Sequence, residues 1–196
     1  MLLSLLLRLS IFYLIIDKHQ QFWFPFLMIL SEFLEGKQPM KKLIRKIEGI
    51  FVVLPFIIAT KSLSIFWGQQ KAIEIVGPFA TKFAKNTLRL WIPKINGPED
   101  FDSFPINMKK NFWIWRQFYD IQIIEENNDV FKLHIYNCPF CEAFNNLGLS
   151  KLSPYICEGD WEIAKENSDK WLFERNYQIG TGDSFCDHTY KRIYCS

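Results

Sequence analysis

The sequence predicts an α+β domain: a helical N-terminal half, then a four-stranded antiparallel sheet with two helices inserted in its middle. Three observations predict it. Apolar residues recur every three or four positions from Lys41 to about Leu90. From Asp120 the period drops to two. Two helix-start signals, Cys138-Pro139 and Ser153-Pro154, then interrupt the strand-like runs.

Each element follows in order. Gly36-Lys37-Gln38-Pro39 is a turn signal. Ile44, Ile47, Phe51, Leu54 and Ile58 then mark one buried face of a first helix, which Pro55 kinks or divides. Leu63 to Gly77 reads as a turn and a second helix that Gly77-Pro78 stops or kinks, and Phe79 to Leu90 as a third. Pro93 to Pro105 reads as a loop around Asn96-Gly97-Pro98. Residues 120–125 and 130–136 are strands joined by the turn Asn127-Asn128-Asp129. A short helix runs from Pro139 to Leu147 and stops at Gly148. Ser153 caps the next, Tyr155 to Asn167, and strands at 171–179 and 185–194 close the domain.

The 196 residues suit one domain with an appendage, large enough to bury a core without disulfide staples. A net charge of +2 gives no electrostatic case for a nucleic-acid partner. Lys41, Lys42, Arg45 and Lys46 read as a solvated helix face. Leu2–Ile16 and Phe22–Leu34 are apolar runs, the first too short to span a bilayer and carrying Arg8. Residues 1–36 are therefore expected to be a dispensable appendage and 37–196 the working domain. Membrane association through 1–36 is the alternative, and it is not favoured.

The five cysteines all lie within 138–195. An odd count without a recognisable signal peptide argues for reduced thiols in a cytoplasmic protein. Cys138, before a Pro at the first helical position, should be an N-cap whose thiol feels the positive helix end. Cys157 would lie in the first turn of the next helix with Asp160 on the same face. Cys186 would sit on the last strand beside Asp187. These three thiols could converge on one pocket, or each could be a small buried hydrophobe. No cofactor is expected. Zinc on Cys138, Cys157 and Cys186, with Asp160 or His188, is the alternative, although the spacing lacks paired knuckles. Cys138-Pro139-Phe140-Cys141 also resembles a glutaredoxin-type C-x-x-C at a strand-to-helix junction, but no βαβ unit surrounds it. His19, His134 and His188 suggest no triad, and His134 reads as a strand residue.

A longer set of residues resembles the L-2-amino-thiazoline-4-carboxylic acid hydrolase family over roughly 41–193. The set is Asn137-Cys138-Pro139-Phe140, Glu142-Ala143, Leu147-Gly148-Leu149, Cys157-Glu158-Gly159-Asp160, Phe173-Glu174-Arg175, Gly182-Asp183 and Cys186-Asp187. Arg45-Lys46-Ile47-Glu48 and Gln70 to Ile75 are similar to its helical half. Here His188 replaces an aromatic, and Cys141 and Cys195 are additional. The resemblance implies hydrolytic opening of a cyclic isothiourea to an N-carbamoyl-cysteine. Matched to that chemistry, Cys138 or Cys157 is expected as nucleophile, Asp160 as acid or base, and Cys186 and Asp187 as support. Arg175 would anchor the carboxylate of a small-molecule substrate, and Glu142 would orient the site. A non-catalytic small-molecule or metal sensor, similar to 4-vinyl reductase domains, is the second reading.

Overall fold

The computed structural model describes residues 38–194, with side chains from residue 42 onward. The apolar runs before residue 37, His19 and Cys195 lie outside the described residues. The chain divides into two units, Met1–Ile44 and Arg45–Ser196. Of the first, only the helical stretch from Gln38 is described. The sheet, the remaining helices and the candidate site belong to the second.

Helix α1 spans Gln38–Trp91 and breaks at one place, Gly68, with φ 76° and ψ 159°. Neither Pro55 nor Gly77-Pro78 ends the helix: both prolines lie inside it. At Gly68 no atom lies within 4 Å of a would-be Cβ. The glycine therefore serves its positive φ and not a close approach.

The buried face of α1 is also not the expected one. Phe51 is 61 % exposed, Ile58 51 % and Ile47 43 %. Buried instead are Glu48, Val53, Phe56, Ile57, Thr60 and Leu63. The physical reason is that this helix carries two apolar stripes. Positions 47, 51, 54 and 58 repeat at four, three and four, and positions 49, 53, 56 and 60 do the same two residues later. Two residues are about 200° of helix, so the stripes face opposite ways. Gly49 decides between them: a Cβ there would stand 2.5 Å from the Pro139 carbonyl oxygen. Only the glycine-bearing stripe can come that close to the domain. By length and composition, Lys42–Trp91 is apolar enough to cross a membrane, with 33 % of its most apolar stretch buried.

Arg45 corrects the solvated-face expectation as well. It is buried and donates to the carbonyl oxygens of Gln117 (2.8 Å) and Arg116 (2.7 Å) and to Asp120 Oδ1 (2.7 Å). Those carbonyls end a helix absent from the sequence reading, α3 (Phe112–Phe118), and a cation suits them. The expected loop to Pro105 is likewise shorter. A 3₁₀ turn at Pro98–Asp102 leads into α2 (Ser103–Lys110). Pro105 is tolerated there because first-turn N–H groups have no helical partner.

Strands β1 (Ile121–Glu126), β2 (Val130–Ile135), β3 (Trp171–Glu174) and β4 (Cys186–Arg192) form one antiparallel sheet of order β1-β2-β4-β3. Helices α4 (Pro139–Asn146) and α5 (Ser153–Glu166) are inserted between β2 and β3. The fold is thus α+β, as the change of period predicts. Strand β3 ends at Glu174, short of the expected 179. Core packing centres on Phe104, Trp171 and Tyr190, with ring centroids 5.0–5.6 Å apart. Glycine again permits the helix contacts: a Cβ on Gly77 would meet the Tyr155 ring at 2.5 Å, and one on Gly159 the Ala84 Cβ at 2.6 Å.

Candidate functional site

The sheet register builds the site. Ile135, at the end of β2, pairs with Cys186, at the start of β4. The chain leaving β2 therefore begins α4 beside the beginning of β4. Cys138 is the N-cap of α4, extended at φ −137° and ψ 104°, with Pro139 at the first helical position. That is the cap the Cys-Pro pair predicts.

Four thiols gather here. Cys141 is fully buried on the first turn of α4, and its Sγ lies 3.9 Å from Cys157 Sγ on α5. The Ile179–Thr181 turn covers the cluster. Its Ile179 N–H donates to Cys186 Sγ at 3.2 Å, and a Cβ on Gly180 would meet Cys157 Sγ at 2.6 Å. Cys138 alone of the four is not fully buried. One sequence expectation changes: α5 begins at Ser153, after a 3₁₀ turn at Ser150–Leu152. Cys157 is then its fifth residue and lies past the first turn, so the helix-dipole argument does not reach it.

The thiols are not equivalent. The Cys138 sulfur forms no strict capping bond. N–H···S contacts are long and weak, yet the Cys141 thiol and the Cys141 and Phe140 N–H groups hold the Cys138 thiol below its ordinary value. Burial and Asp160 oppose them. Cys141 is pushed well up, first because its S–H is held by Cys138 and Cys157, then by burial. Burial pushes Cys186 up to about 12, so at neutral pH it is a thiol. Tyr119, absent from the sequence reading, has its phenol raised by burial and then by Cys138, Asp160, Cys141 and Cys157. Its hydroxyl keeps its proton among these groups.

Asp160 sits on the α5 face that carries Cys157. Arg175 donates to Asp160 Oδ2 at 2.6 Å and to the Cys157 carbonyl oxygen at 3.0 Å. The Arg175 side chain is 1 % exposed, with its guanidinium 5.6 Å from the Trp161 ring centre and 5.8 Å from that of Phe173. His188 Nε2 stands 3.8 Å from the same Asp160 oxygen. Burial lowers His188 to about 4, so the contact is to a neutral ring, and its Nδ1 has no hydrogen-bond partner.

Two predicted site residues stand apart from the thiols' chemistry. Asp187 is buried, and its Oδ1 accepts the N–H groups of Asn176 (2.8 Å) and Tyr177 (2.7 Å). Burial would raise its carboxyl, but these donors hold it below the usual range. It clamps the β3–β4 connection. Glu142 is half-exposed and pairs with Lys46 at 3.5 Å. Among the described residues, no three His, Cys, Asp or Glu side chains are placed to hold one metal ion, the set Cys138, Cys157 and Cys186 included.

Sequence reasoning missed Tyr119, Cys141 as a member of the cluster, and Glu48. Glu48 is buried on α1, with Oε2 lacking a hydrogen-bond partner and its carboxyl raised to about 7 by burial against the pull of Arg45. The Arg-Lys-Ile-Glu string carried the signal, since an Arg–Glu pair three apart shares a helix face. Tyr119 had no such signal. A family model described as L-2-amino-thiazoline-4-carboxylic acid hydrolase matches residues 45–190, which takes in all these groups. No curated protein matches the chain.

Proposed function

The chain belongs to the L-2-amino-thiazoline-4-carboxylic acid hydrolase family, and from that premise we propose that it hydrolyses a small cyclic isothiourea with Cys138 as the nucleophile. One observation carries the choice of Cys138: it is the one part-exposed member of the thiol cluster and the one whose thiolate the helix start favours. Cys157 is buried under Gly180 and is the weaker candidate.

The substrate carbon lies between the ring sulfur and two nitrogens. The Cys138 thiolate adds to it, and the ring C–S bond breaks. The substrate sulfur leaves as a thiol after taking a proton, for which the Tyr119 hydroxyl is the nearby neutral donor. The enzyme then carries an S-amidino adduct on Cys138 that retains every substrate atom. Water, its proton taken by Asp160, adds to the same carbon and expels the Cys138 thiolate, and the Asp160 proton then returns to the Tyr119 oxygen, restoring both groups. The product is an N-carbamoyl-cysteine, and one water is consumed.

In this scheme Arg175 is a positioning residue. Its Nη1 and Nη2 both donate to the protein, so it fixes Asp160 in place of the expected role as carboxylate anchor. Cys186 and Asp187 support the loop over the cluster, and Glu142 stands at the rim.

The test is a discontinuous mass-spectrometric assay with L-2-amino-thiazoline-4-carboxylate. Cys138→Ser should lower kcat about a thousand-fold or more, since a hydroxyl is a far weaker nucleophile without an adjacent base. Acid-quenched wild type should carry a substrate-mass adduct on the 133–151 tryptic peptide. Full turnover by Cys138→Ser overturns the assignment. Turnover should also climb with pH through a midpoint below an ordinary thiol's, because Cys138 is held low.

A further inference from the structure

Cys141 has no part in the hydrolytic scheme, yet it is fully buried against two other thiols. Lying three residues after Cys138, it makes a C-x-x-C at the start of an eight-residue helix, where the preceding residue is extended and the following ones helical. We propose that Cys138 and Cys141 are a reversible oxidation site, forming an intramolecular disulfide by exchange with small disulfides such as glutathione disulfide. The oxidised form has no free Cys138 thiolate.

The placement gives each sulfur a separate task. Thiol–disulfide exchange needs an accessible attacking thiolate and a nearby second thiol to resolve the mixed disulfide. Cys138 is the accessible one, and Cys141, shielded from solvent, is reachable only from within the cluster. Cys138 is extended at the N-cap and Cys141 stands at the third helical position, their thiols already interact, and a disulfide needs Cβ atoms about 3.5–4.5 Å apart. Closure needs only a local rotation at the N-cap, whose sulfur forms no strict capping bond. The rival pair, Cys141 and Cys157, lies on two packed helices under Gly180. Their sulfurs are 3.9 Å apart, but both cysteines are buried and closed to a disulfide arriving from solvent.

The exchange balances. The Cys138 thiolate attacks one sulfur of the small disulfide, whose S–S bond breaks and releases one thiolate. Part of what holds the Cys141 proton is the Cys138 sulfur. That hold ends once Cys138 is capped. Cys141 then attacks the Cys138 sulfur, and the second small thiol leaves carrying the Cys141 proton, since Cys141 itself is closed to solvent. Two protein thiols are oxidised, and one small disulfide is reduced to two thiols.

Tryptic peptides make the test direct. Cys138 and Cys141 share the 133–151 peptide, while Cys157 falls in 152–165. The full chain is incubated with glutathione disulfide, alkylated without reduction and digested. The expected result is an unalkylated 133–151 peptide two hydrogens lighter than its reduced form, restored by dithiothreitol. Cys141→Ala should instead hold a glutathione adduct at Cys138. A wild-type 133–151 peptide alkylated at both positions, or cross-linked to 152–165, overturns the proposal.

The consequence for activity rests on the hydrolase reading. Turnover should fall in proportion to the oxidised fraction, and a disulfide that leaves turnover unchanged overturns the switch. If the reduced protein hydrolyses nothing, that counts against the proposed activity alone, and the peptide map still decides the disulfide.

Discussion

Glu48 shows how a single buried side chain ties stability to pH. Its carboxyl is raised to about 7 from an ordinary 4.5, chiefly by burial. A raised acid stabilises the fold while protonated. Its contribution is complete below about 4.5 and is lost as pH rises toward 7. The lost amount is at most on the order of 3 kcal/mol, since one pKa unit is about 1.4 kcal/mol. Glu48→Gln removes the titration. Urea midpoints should show the variant gaining on wild type between pH 5 and pH 8. A gap that stays constant across that range refutes the burial argument. Asp187 behaves oppositely. Its folded carboxyl is held low by the Asn176 and Tyr177 N–H groups, so its contribution is present above the unfolded value and lost as acid protonates it.

At the scale of elements, legibility followed locality. Cys138 as N-cap and Pro139 as first helical residue depend only on neighbours in sequence, and both were readable. So were β1, β2 and their turn, set by a period of two and an Asn-Asn-Asp corner. The buried face of α1 was not readable, because two stripes of equal spacing offered themselves and tertiary contact chose. Arg45 was misplaced for the same reason: the carbonyls it serves belong to α3, some seventy residues away. The clustering of Cys138, Cys141, Cys157 and Cys186 needed the register of β2 on β4 as well. Gly49 is the hinge of this argument and can be tested. In an ordinary helix interior, Gly→Ala gains up to about 1 kcal/mol. Here the new methyl would meet the Pro139 backbone oxygen at 2.5 Å and the Pro139 Cβ at 2.7 Å. Neither atom is the end of a flexible chain. Gly49→Ala should therefore destabilise by about 1–3 kcal/mol, and it should slow the Cys138 reaction because Pro139 must shift. A stabilised variant would show that α1 does not approach α4 so closely.

Across the whole molecule, the apolar surface is divided unevenly. The second unit buries Val53, Phe56, Ile57 and Leu63 from α1, together with the Phe104–Trp171–Tyr190 cluster. The opposite stripe of the same helix leaves Phe51 and Ile58 more than half exposed, with Ile65 and Phe66 beyond them. Exposed apolar rows of this kind are unusual on a monomeric soluble surface, yet nothing in the domain's core depends on them. Replacing Phe51 and Ile58 together with Gln should change the unfolding free energy by no more than about 0.5 kcal/mol each, as surface substitutions do. Phe56→Ala, between them in sequence but on the opposite, buried stripe, should cost about 3–5 kcal/mol. Thermal melts of the two variants and wild type, in one buffer at two protein concentrations, separate the cases. A near-silent double Gln variant and a strongly weakened Phe56→Ala place the core on the Gly49 side of the helix. Comparable losses in both would mean that the Phe51–Ile58 face is covered in the working protein. A loss that deepened at higher protein concentration would assign that cover to a second copy of the chain.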